Sequence, residues 1–334
     1  TVGQLAFYAQ DEWSVNDNFK LTFGLRADKP MYFNGKIWTV DTLFYTHSFK
    51  ESNPKFVYNL FQRVNWKQHN EAGGVPSLSK STIEQISLSL PTLPEQQKIA
   101  TFLSSVDEKI QLLSRKKELL EQYKKGVMQQ LFSGELRFKD ENGDDYADWE
   151  EKKLGEIAKY YDGTHQTPNY VESGIPFYSV EHVTANQFSK SKYISKEVFE
   201  KENKRVKLEK GDILMTRIGD IGTSRLIDWD VNASFYVSLA LIKQNENYNS
   251  SFLNQYISSV YFQKELWANT IHVAFPKKIN LGEIGKCKII LPCLKEQQKI
   301  ATFLSSIDVK IERINQQINK MQSFKKGLLQ QLFV

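Results

Sequence analysis

Three short stretches contain residues whose types and spacing approach those of catalytic motifs. Asn53-Pro-Lys-Phe56 lacks the second proline of the adenine-methyltransferase motif, and the chain has no Phe-x-Gly-x-Gly cofactor loop. Gly282-Glu-Ile-Gly-Lys-Cys287 has the wrong spacing and the wrong ending for a phosphate-binding loop. Glu151-x-Lys153, preceded by Asp148, resembles a nuclease carboxylate cluster, but Glu-x-Lys also arises by chance. The sequence therefore predicts no catalytic centre for methyl transfer, ATP-driven translocation or nucleolysis.

Composition and cysteine spacing exclude further classes of protein. The 334 residues suffice for about two domains, and 40% hydrophobic residues with 13% aromatic residues exclude wholesale disorder. The net charge of +5 permits phosphate binding without requiring it. Cys287 and Cys293 fit no zinc-site spacing, so we expect no metal and two buried packing residues. Because there is neither an apolar run of about 18 residues nor a leader, we expect a cytoplasmic protein with no membrane partner.

A sequence repeat organises the rest of the chain. Leu90–Phe132 aligns with Leu291–Phe333 at a constant offset of 201 without gaps, and 24 of the 43 positions are identical. The run from Glu95 to Ser105 recurs unchanged from Glu296 to Ser306. Such identity is not expected by chance, so the chain contains a duplicated unit.

Each copy of the repeat predicts a long helix. The apolar positions step by four and three residues over about five heptads, which is the coiled-coil period. Pro94 suits a first helical turn and Ser133-Gly134 supplies the stop, so the first helix should cover about 38 residues, or roughly 57 Å. We expect the two helices to pack on each other, the alternative being that each packs only on its own domain. The seam residues are Ile99, Leu103, Val106, Ile110, Ile300, Leu304, Ile307 and Ile311.

Between the helices the pattern is that of a mixed globular domain. The runs 213–216 and 235–242 are typical of strands, the segment 251–267 is typical of a helix, and glycines punctuate the rest. The predicted fold class is therefore α+β, a mixed α/β chain with globular domains and two long helices. The boundaries we expect are 31–92 for a partial first domain, 93–134 for the first helix, 135–148 for a linker, 149–292 for the second domain and 293–334 for the second helix.

The first thirty residues form a separate segment of uncertain origin. Leu5–Arg26 resembles a strand-turn-strand hairpin of outer-membrane receptor barrels, with its turn at Asn16–Asn18. One hairpin cannot close a barrel, so we interpret residues 1–30 as a recombined graft. When the two domains are aligned at the repeat offset of 201, the first begins too late in the chain. We therefore expect the first domain to lack roughly fifty residues that the second domain has.

Four stretches together resemble a known family. They are the Leu-Pro-x-Leu-x-Glu-Gln-Gln-Lys-Ile run that begins both helices, Trp149–Ile157, Gly211–Arg217 and Val75–Ile83. From about residue 31 to residue 334, the chain resembles the DNA specificity subunits of type I restriction-modification systems.

That resemblance implies a function and a set of partners. Two target-recognition domains, held apart by an antiparallel helical spacer, would each read half of a split site in double-stranded DNA. Such subunits have no catalytic centre and dock methyltransferase subunits and restriction subunits. S-adenosylmethionine, ATP and Mg²⁺ are then expected only on those partners. The alternatives left open are a coiled-coil scaffold, a non-functional recombined fragment, and a homodimer formed through the spacer helices.

Candidate DNA contacts follow from polar loops and basic residues. The loop Gly163–Pro168 should display four polar side chains, although it resembles an ordinary surface turn equally well. Arg217 follows an apolar strand and should reach guanine or phosphate, or else pair with Asp212 or Asp220. Basic residues before the second helix, and their counterparts before the first, either touch phosphate or belong to a solvated cluster. The full set is Thr164, His165, Gln166, Thr167, Arg217, His272, Lys277, Lys278, Ser77, Ser79 and Lys80.

Overall fold

The computed structural model describes residues 20–24, 31–33, 43–46, 49–69 and 78–333. Two compact units make up the chain. The first consists of Thr1–Lys117 together with Arg313–Val334, and the second of Glu118–Glu312. Each unit therefore contains part of both long helices.

The first unit opens with a three-stranded antiparallel sheet in the order β2-β1-β3. Its strands are β1 (Lys20–Gly24), β2 (Met31–Phe33) and β3 (Leu43–Thr46). Because β1 pairs with both other strands, the sheet crosses the sequence-predicted boundary at residue 30. The turn expected at Asn16–Asn18 lies outside the described residues.

Short helices follow that sheet. They are α1 (Pro54–Phe61), a 3-10 turn (Trp66–His69) and α2 (Lys80–Glu84). Asn53 caps α1, because its side-chain oxygen accepts a hydrogen bond from the amide of Phe56 at 3.0 Å. Buried Phe56 and Leu60 of this helix form a small core with Ala100.

The two long helices are α3 (Leu93–Phe132) and α10 (Leu294–Leu332). In the first unit, Lys325 Nζ lies 2.7 Å from Asp107 Oδ1, and Lys117 Nζ donates to Asn315 Oδ1 at 3.1 Å. Later residues of α3 thus contact earlier residues of α10, so the two segments run in opposite directions. Gly134, at φ 76°, ends α3 in a left-handed conformation that favours glycine.

The second unit contains the matching contact. Lys124 Nζ lies 2.6 Å from Asp308 Oδ1, and both residues stand 201 positions from their counterparts Lys325 and Asp107. Among the sequence-predicted seam residues, Leu103, Val106, Ile300, Leu304 and Ile307 are buried, and Ile99, Ile110 and Ile311 are half-buried.

In the second unit, the α10 segment has two packing partners. Ile300, Leu304 and Ile307 share one core with residues of α3 and with residues of the globular domain. In this unit α10 therefore packs both on the other long helix and on its own domain, so the two arrangements considered from the sequence coexist.

In each unit, the residue that caps a short helix is hydrogen-bonded to the start of a long helix, and we call this connection a joint. Asn53 donates from its backbone to Gln96 Oε1 at 2.8 Å and from its side chain to Gln97 Oε1 at 2.6 Å. In the second unit, Asn249 makes the same two bonds, at 2.8 and 2.7 Å, to Gln297 and Gln298. One buried glutamine, Gln96 in the first joint and Gln297 in the second, thus accepts the backbone bond of each joint, and an exposed glutamine accepts the side-chain bond.

The globular part of the second unit contains two four-stranded sheets and a two-stranded ribbon. The ribbon pairs β4 (Glu150–Lys153) with β13 (Lys288–Leu291). The first sheet, ordered β10-β9-β12-β5, consists of β5 (Tyr160–Asp162), β9 (Ile213–Ile218), β10 (Asp220–Leu226) and β12 (Leu239–Ile242). The second, ordered β11-β7-β8-β6, consists of β6 (Tyr170–Val171), β7 (Ile175–Tyr178), β8 (Lys192–Ile194) and β11 (Ser234–Phe235).

Six helices surround these strands in the second unit. They are α4 (Leu154–Ile157), α5 (Val180–Ala185), α6 (Lys196–Glu202), α7 (Ser250–Ile257), α8 (Val260–Ala268) and α9 (Leu281–Lys286). β9 and β12 alternate their buried side chains between two cores. One core is shared with the long helices, and the other lies beneath α5.

Three sequence expectations need correction in this unit. The helix expected over 251–267 is two helices, because Ser259 caps a second one by accepting from the amide of Phe262 at 3.4 Å. The strand expected over 235–242 is interrupted by a turn in which Leu239 N donates to Tyr236 O at 2.9 Å. Of the two cysteines only Cys287 is buried, which raises its pKa to about 12, whereas Cys293 is exposed.

Candidate nucleic-acid interface

The loop 163–168 is fixed to a neighbouring segment by its backbone. Thr164 N donates to Phe235 O at 3.0 Å, and Val237 N donates to Thr164 O at 3.0 Å. Gly163 permits this approach, because a Cβ atom there would overlap the carbonyl oxygen of Phe235. The polar side chains that follow are therefore carried on a fixed backbone.

Three of the four side chains expected on this loop reach its surface. His165 Nε2 lies 2.8 Å from Asp162 Oδ2, Thr167 Oγ1 lies 3.2 Å from the Tyr236 hydroxyl, and Gln166 is exposed. Thr164 requires correction, since its side chain is buried and donates to Glu202 Oε2 at 2.8 Å. Its hydroxyl supports the loop from beneath.

Asp162 is a central charged group that the sequence reading missed. It ends β5 directly before the loop and accepts hydrogen bonds from Arg205 and His165. Partial burial acts to raise the pKa of Asp162, but the hydrogen bonds from Arg205 and His165 outweigh burial, and the pKa is lowered. The only sequence signal is its position, a carboxylate at a strand end just before a glycine loop.

Arg217 lies inside the domain. The guanidinium donates from Nε to Val237 O at 2.9 Å and from Nη1 to Ile279 O at 3.2 Å, and its Nη2 lies 3.5 Å from Asp162 Oδ2. The side chain is only 9% exposed, and burial lowers its pKa while Asp162 acts in the opposite direction.

Both sequence expectations for Arg217 are therefore corrected. Its guanidinium does not project from a loop, because two backbone carbonyls and a carboxylate surround it. The paired carboxylate is not one of the two expected. Asp212 pairs with Lys243 at 2.7 Å, and Asp220 accepts from Thr216 Oγ1 at 2.9 Å.

The second loop, 271–278, lies on the other side of Arg217. It is closed at its base, where Ile271 N donates to Lys278 O at 2.8 Å, and Gly219 N donates to Lys277 O at 2.8 Å. Since Arg217 bonds to residues adjoining both loops, Val237 on one side and Ile279 on the other, it couples their positions.

The exposed surface of the 271–278 loop is basic and aromatic. His272, Lys277 and Lys278 are all exposed. The His272 ring lies 4.2 Å from that of Trp267, and its Nε2 is 2.9 Å from the Trp267 carbonyl oxygen. Lys277 Nζ lies 5.0 Å from the centre of the Trp267 ring, within reach of a cation–π contact. Trp267 was not singled out from the sequence.

The corresponding residues of the first unit have local roles. Ser79 caps α2 by accepting from the amide of Thr82 at 3.1 Å, and Lys80 lies 3.6 Å from Glu84 one turn later. Ser77 lies outside the described residues.

Metal ions and membranes place separate requirements on the described part of the chain. Among those residues, no cluster of three His, Cys, Asp or Glu side chains has a geometry suited to a metal ion. No described helix combines the length and the apolar character needed to span a bilayer.

Sequence comparisons match the chain to one family. The family model described as "Type I restriction modification DNA specificity domain" matches residues 15–122 and 146–323. The MjaVIII specificity subunit of Methanocaldococcus jannaschii, a type I restriction enzyme component, is 29% identical over 276 residues, and the EcoBI specificity subunit of Escherichia coli is 26% identical over 283. These alignments cover 79% and 77% of this chain but 65% and 59% of those proteins, so the chain spans less than two thirds of their lengths.

Two solved structures share the fold. The type I restriction-modification S subunit from M. genitalium superimposes with a TM-score of 0.63 at 17% identity, covering 95% of this chain and 83% of that one. A chain from a structure described as showing complex assembly and conformational transition of the type I R-M system gives a TM-score of 0.55 at 16% identity, covering 88% and 74%.

Proposed function

Because this chain belongs to the family of type I restriction-modification DNA specificity domains, we propose that it recognises DNA sequence as the non-catalytic subunit of a type I restriction-modification complex. Methyl transfer and cleavage then reside on partner subunits, which also hold S-adenosylmethionine, ATP and Mg²⁺. The chain supplies the contacts that select the site.

One observation supports the second unit as a DNA reader above all others. One buried side chain, Arg217, bonds to backbone carbonyls next to both exposed loops and so links their supports. Base edges are read by side chains held in fixed positions, and phosphates are bound by nearby cations. Gln166 and His165 supply hydrogen-bonding groups, and Lys277 and Lys278 supply positive charge.

The helices then act as an antiparallel coiled-coil spacer between two readers of a bipartite site. Halves of a site on one face of B-DNA are separated by about one helical turn, roughly 34 Å, and a 40-residue helix extends about 60 Å. Two exposed apolar residues one turn apart on α3, Leu119 and Tyr123, are the contacts we propose for a methyltransferase subunit.

Copurification with the methyltransferase subunits tests this function. The complex should methylate adenine in a defined sequence, mapped across a genome, and its affinity for duplex DNA should fall steeply between about 50 and 200 mM salt. Assembly without methylation, together with a flat salt dependence, would instead identify a coiled-coil scaffold or an inactive recombined fragment.

The same preparation decides the stoichiometry. We propose one specificity chain per complex, because each long helix already contacts the other through Lys124–Asp308 and Lys325–Asp107. Light scattering that gives two specificity chains per complex would favour the homodimer, and a palindromic methylated sequence would accompany it.

A further inference from the structure

The 271–278 loop carries two apolar side chains at its tip that contact almost nothing in the protein. Phe275 is 103% exposed and Val273 is 97% exposed, the highest values among the large hydrophobic residues that the structure describes. Most exposed apolar residues of the described chain keep part of their surface covered. Two fully exposed apolar side chains at the tip of one closed loop are a candidate contact for a partner outside the chain.

The base of this loop is held firmly. Ile271 and Lys278 pair across it, and the amide of Gly219 donates to Lys277 O at 2.8 Å. On the next residue, Ile279 N donates to Arg217 O at 3.0 Å, and Ile279 O accepts from the guanidinium of Arg217. The tip consequently projects from a backbone anchored to β9.

Charge identifies the partner. His272, Lys277 and Lys278 flank the apolar tip, and the sequence contains no acidic residue from Leu266 to Gly282. A polyanion with an apolar interior fits such a surface, and duplex DNA is one: its phosphates attract the cations, and its stacked bases offer an apolar gap when a step opens.

We propose that Phe275 is a wedge residue that inserts between two base pairs of the target duplex while Lys277 and Lys278 bind the flanking phosphates. The inference rests on the proposed function and adds a contact that depends on the deformability of one base step. Selectivity at that step then arises from the ease of unstacking, and pyrimidine–purine steps open most readily.

The test uses the chain assembled with its methyltransferase subunits. A pool of random-sequence duplexes is selected on this complex, and the enriched duplex is probed with permanganate, which oxidises unstacked thymines. The complex made with Phe275→Ala should bind this duplex about tenfold more weakly, a change of about 1.4 kcal/mol, and should lose the reactivity at one step. Unstacking caused by partner subunits remains in both complexes and cancels in the comparison.

Two further variants sharpen the result. Phe275→Leu keeps an apolar wedge and should retain the permanganate signal, and Phe102→Ala, which truncates another exposed phenylalanine on α3, should match the wild type. The slope of affinity against salt should be the same for Phe275→Ala and the wild type, because no charge is removed. Since Phe275 is fully exposed, its truncation removes no packing from the fold.

Each contrary outcome has a separate meaning. Unchanged affinity and reactivity in Phe275→Ala, with normal selection by the wild type, overturns the wedge and leaves the proposed function standing. Failure of Phe275→Ala to copurify with the methyltransferase subunits also overturns it, because the tip would then contact a protein. If the wild-type complex enriches no duplex, the proposed function fails first and the wedge with it.

Discussion

Replacing Arg217 by methionine tests how the interface is held together. Methionine keeps the apolar stem but removes two hydrogen bonds from a guanidinium to backbone carbonyls, at 2.9 and 3.2 Å. Each charged hydrogen bond contributes about 1.5 to 3 kcal/mol, and both carbonyls would lose their donor. We therefore expect the free energy of unfolding of the second unit to fall by about 3 to 5 kcal/mol.

The matched control is Arg205→Met. Arg205 also pairs with Asp162, but its side chain is 52% exposed. An exposed ion pair contributes at most about 1 kcal/mol, so this variant should unfold close to the wild type. Denaturant titration of the whole chain, followed by the fluorescence of its tryptophans, measures both changes.

DNA binding by the Arg217→Met complex separates support from direct contact. A supporting residue that couples two loops should lose discrimination between the selected duplex and a random duplex, while the salt slope stays constant. A phosphate contact would lower that slope by about one unit and weaken binding to all sequences alike. Wild-type stability combined with a reduced slope would refute the role assigned to Arg217 here.

Charged groups elsewhere support three further predictions. Glu296→Ala should lower the free energy of unfolding, measured by denaturant titration, by about 3 to 5 kcal/mol, since buried Glu296 accepts from a guanidinium and an indole. Glu95 is its exposed equivalent in the repeat, and Glu95→Ala should change the same free energy by less than about 0.5 kcal/mol. The folded-state pKa of Asp162 is lowered, so its stabilisation is present above the unfolded pKa of about 3.9 and is lost as pH falls through the folded pKa. The gap in unfolding free energy between the wild type and Asp162→Asn should therefore narrow on acidification, and a constant gap would contradict this. Lys124→Met should cost about 1.5 to 3 kcal/mol in thermal unfolding, because the partly buried ammonium bonds to both oxygens of Asp308.

Much of the frame was predictable from the sequence because its signals are local. The heptad spacing predicted both long helices, which the structure has at Leu93–Phe132 and Leu294–Leu332. The Asn53 and Asn249 caps were predictable for the same reason, since a cap needs only its own side chain and an amide three residues later.

The surroundings of Arg217 were not predictable in this way. Its three partners lie 20, 55 and 62 residues away along the chain. Only the order of the strands and the approach of two loops bring them together, and a single sequence records neither. The two nearby aspartates were plausible partners on sequence distance alone, but each is already engaged elsewhere. The burial of Thr164 follows from the same tertiary pairing.

Residues inside the sequence repeat connect the helices, whereas the candidate DNA-contacting loops lie outside it. This difference limits which substitutions could change the DNA sequence that is recognised. Identical positions in the two copies include the glutamines of the joints and the aspartate and lysine that connect the helices, so the duplication preserves the frame. The loops 163–168 and 271–278 lie outside the repeat, and Arg217 bonds to the supports of both. Under the proposed function, substitutions at exposed positions such as Gln166 or Lys277 would therefore alter the sequence that is read without disturbing the helix contacts, whereas a change at Arg217 would alter both loops together.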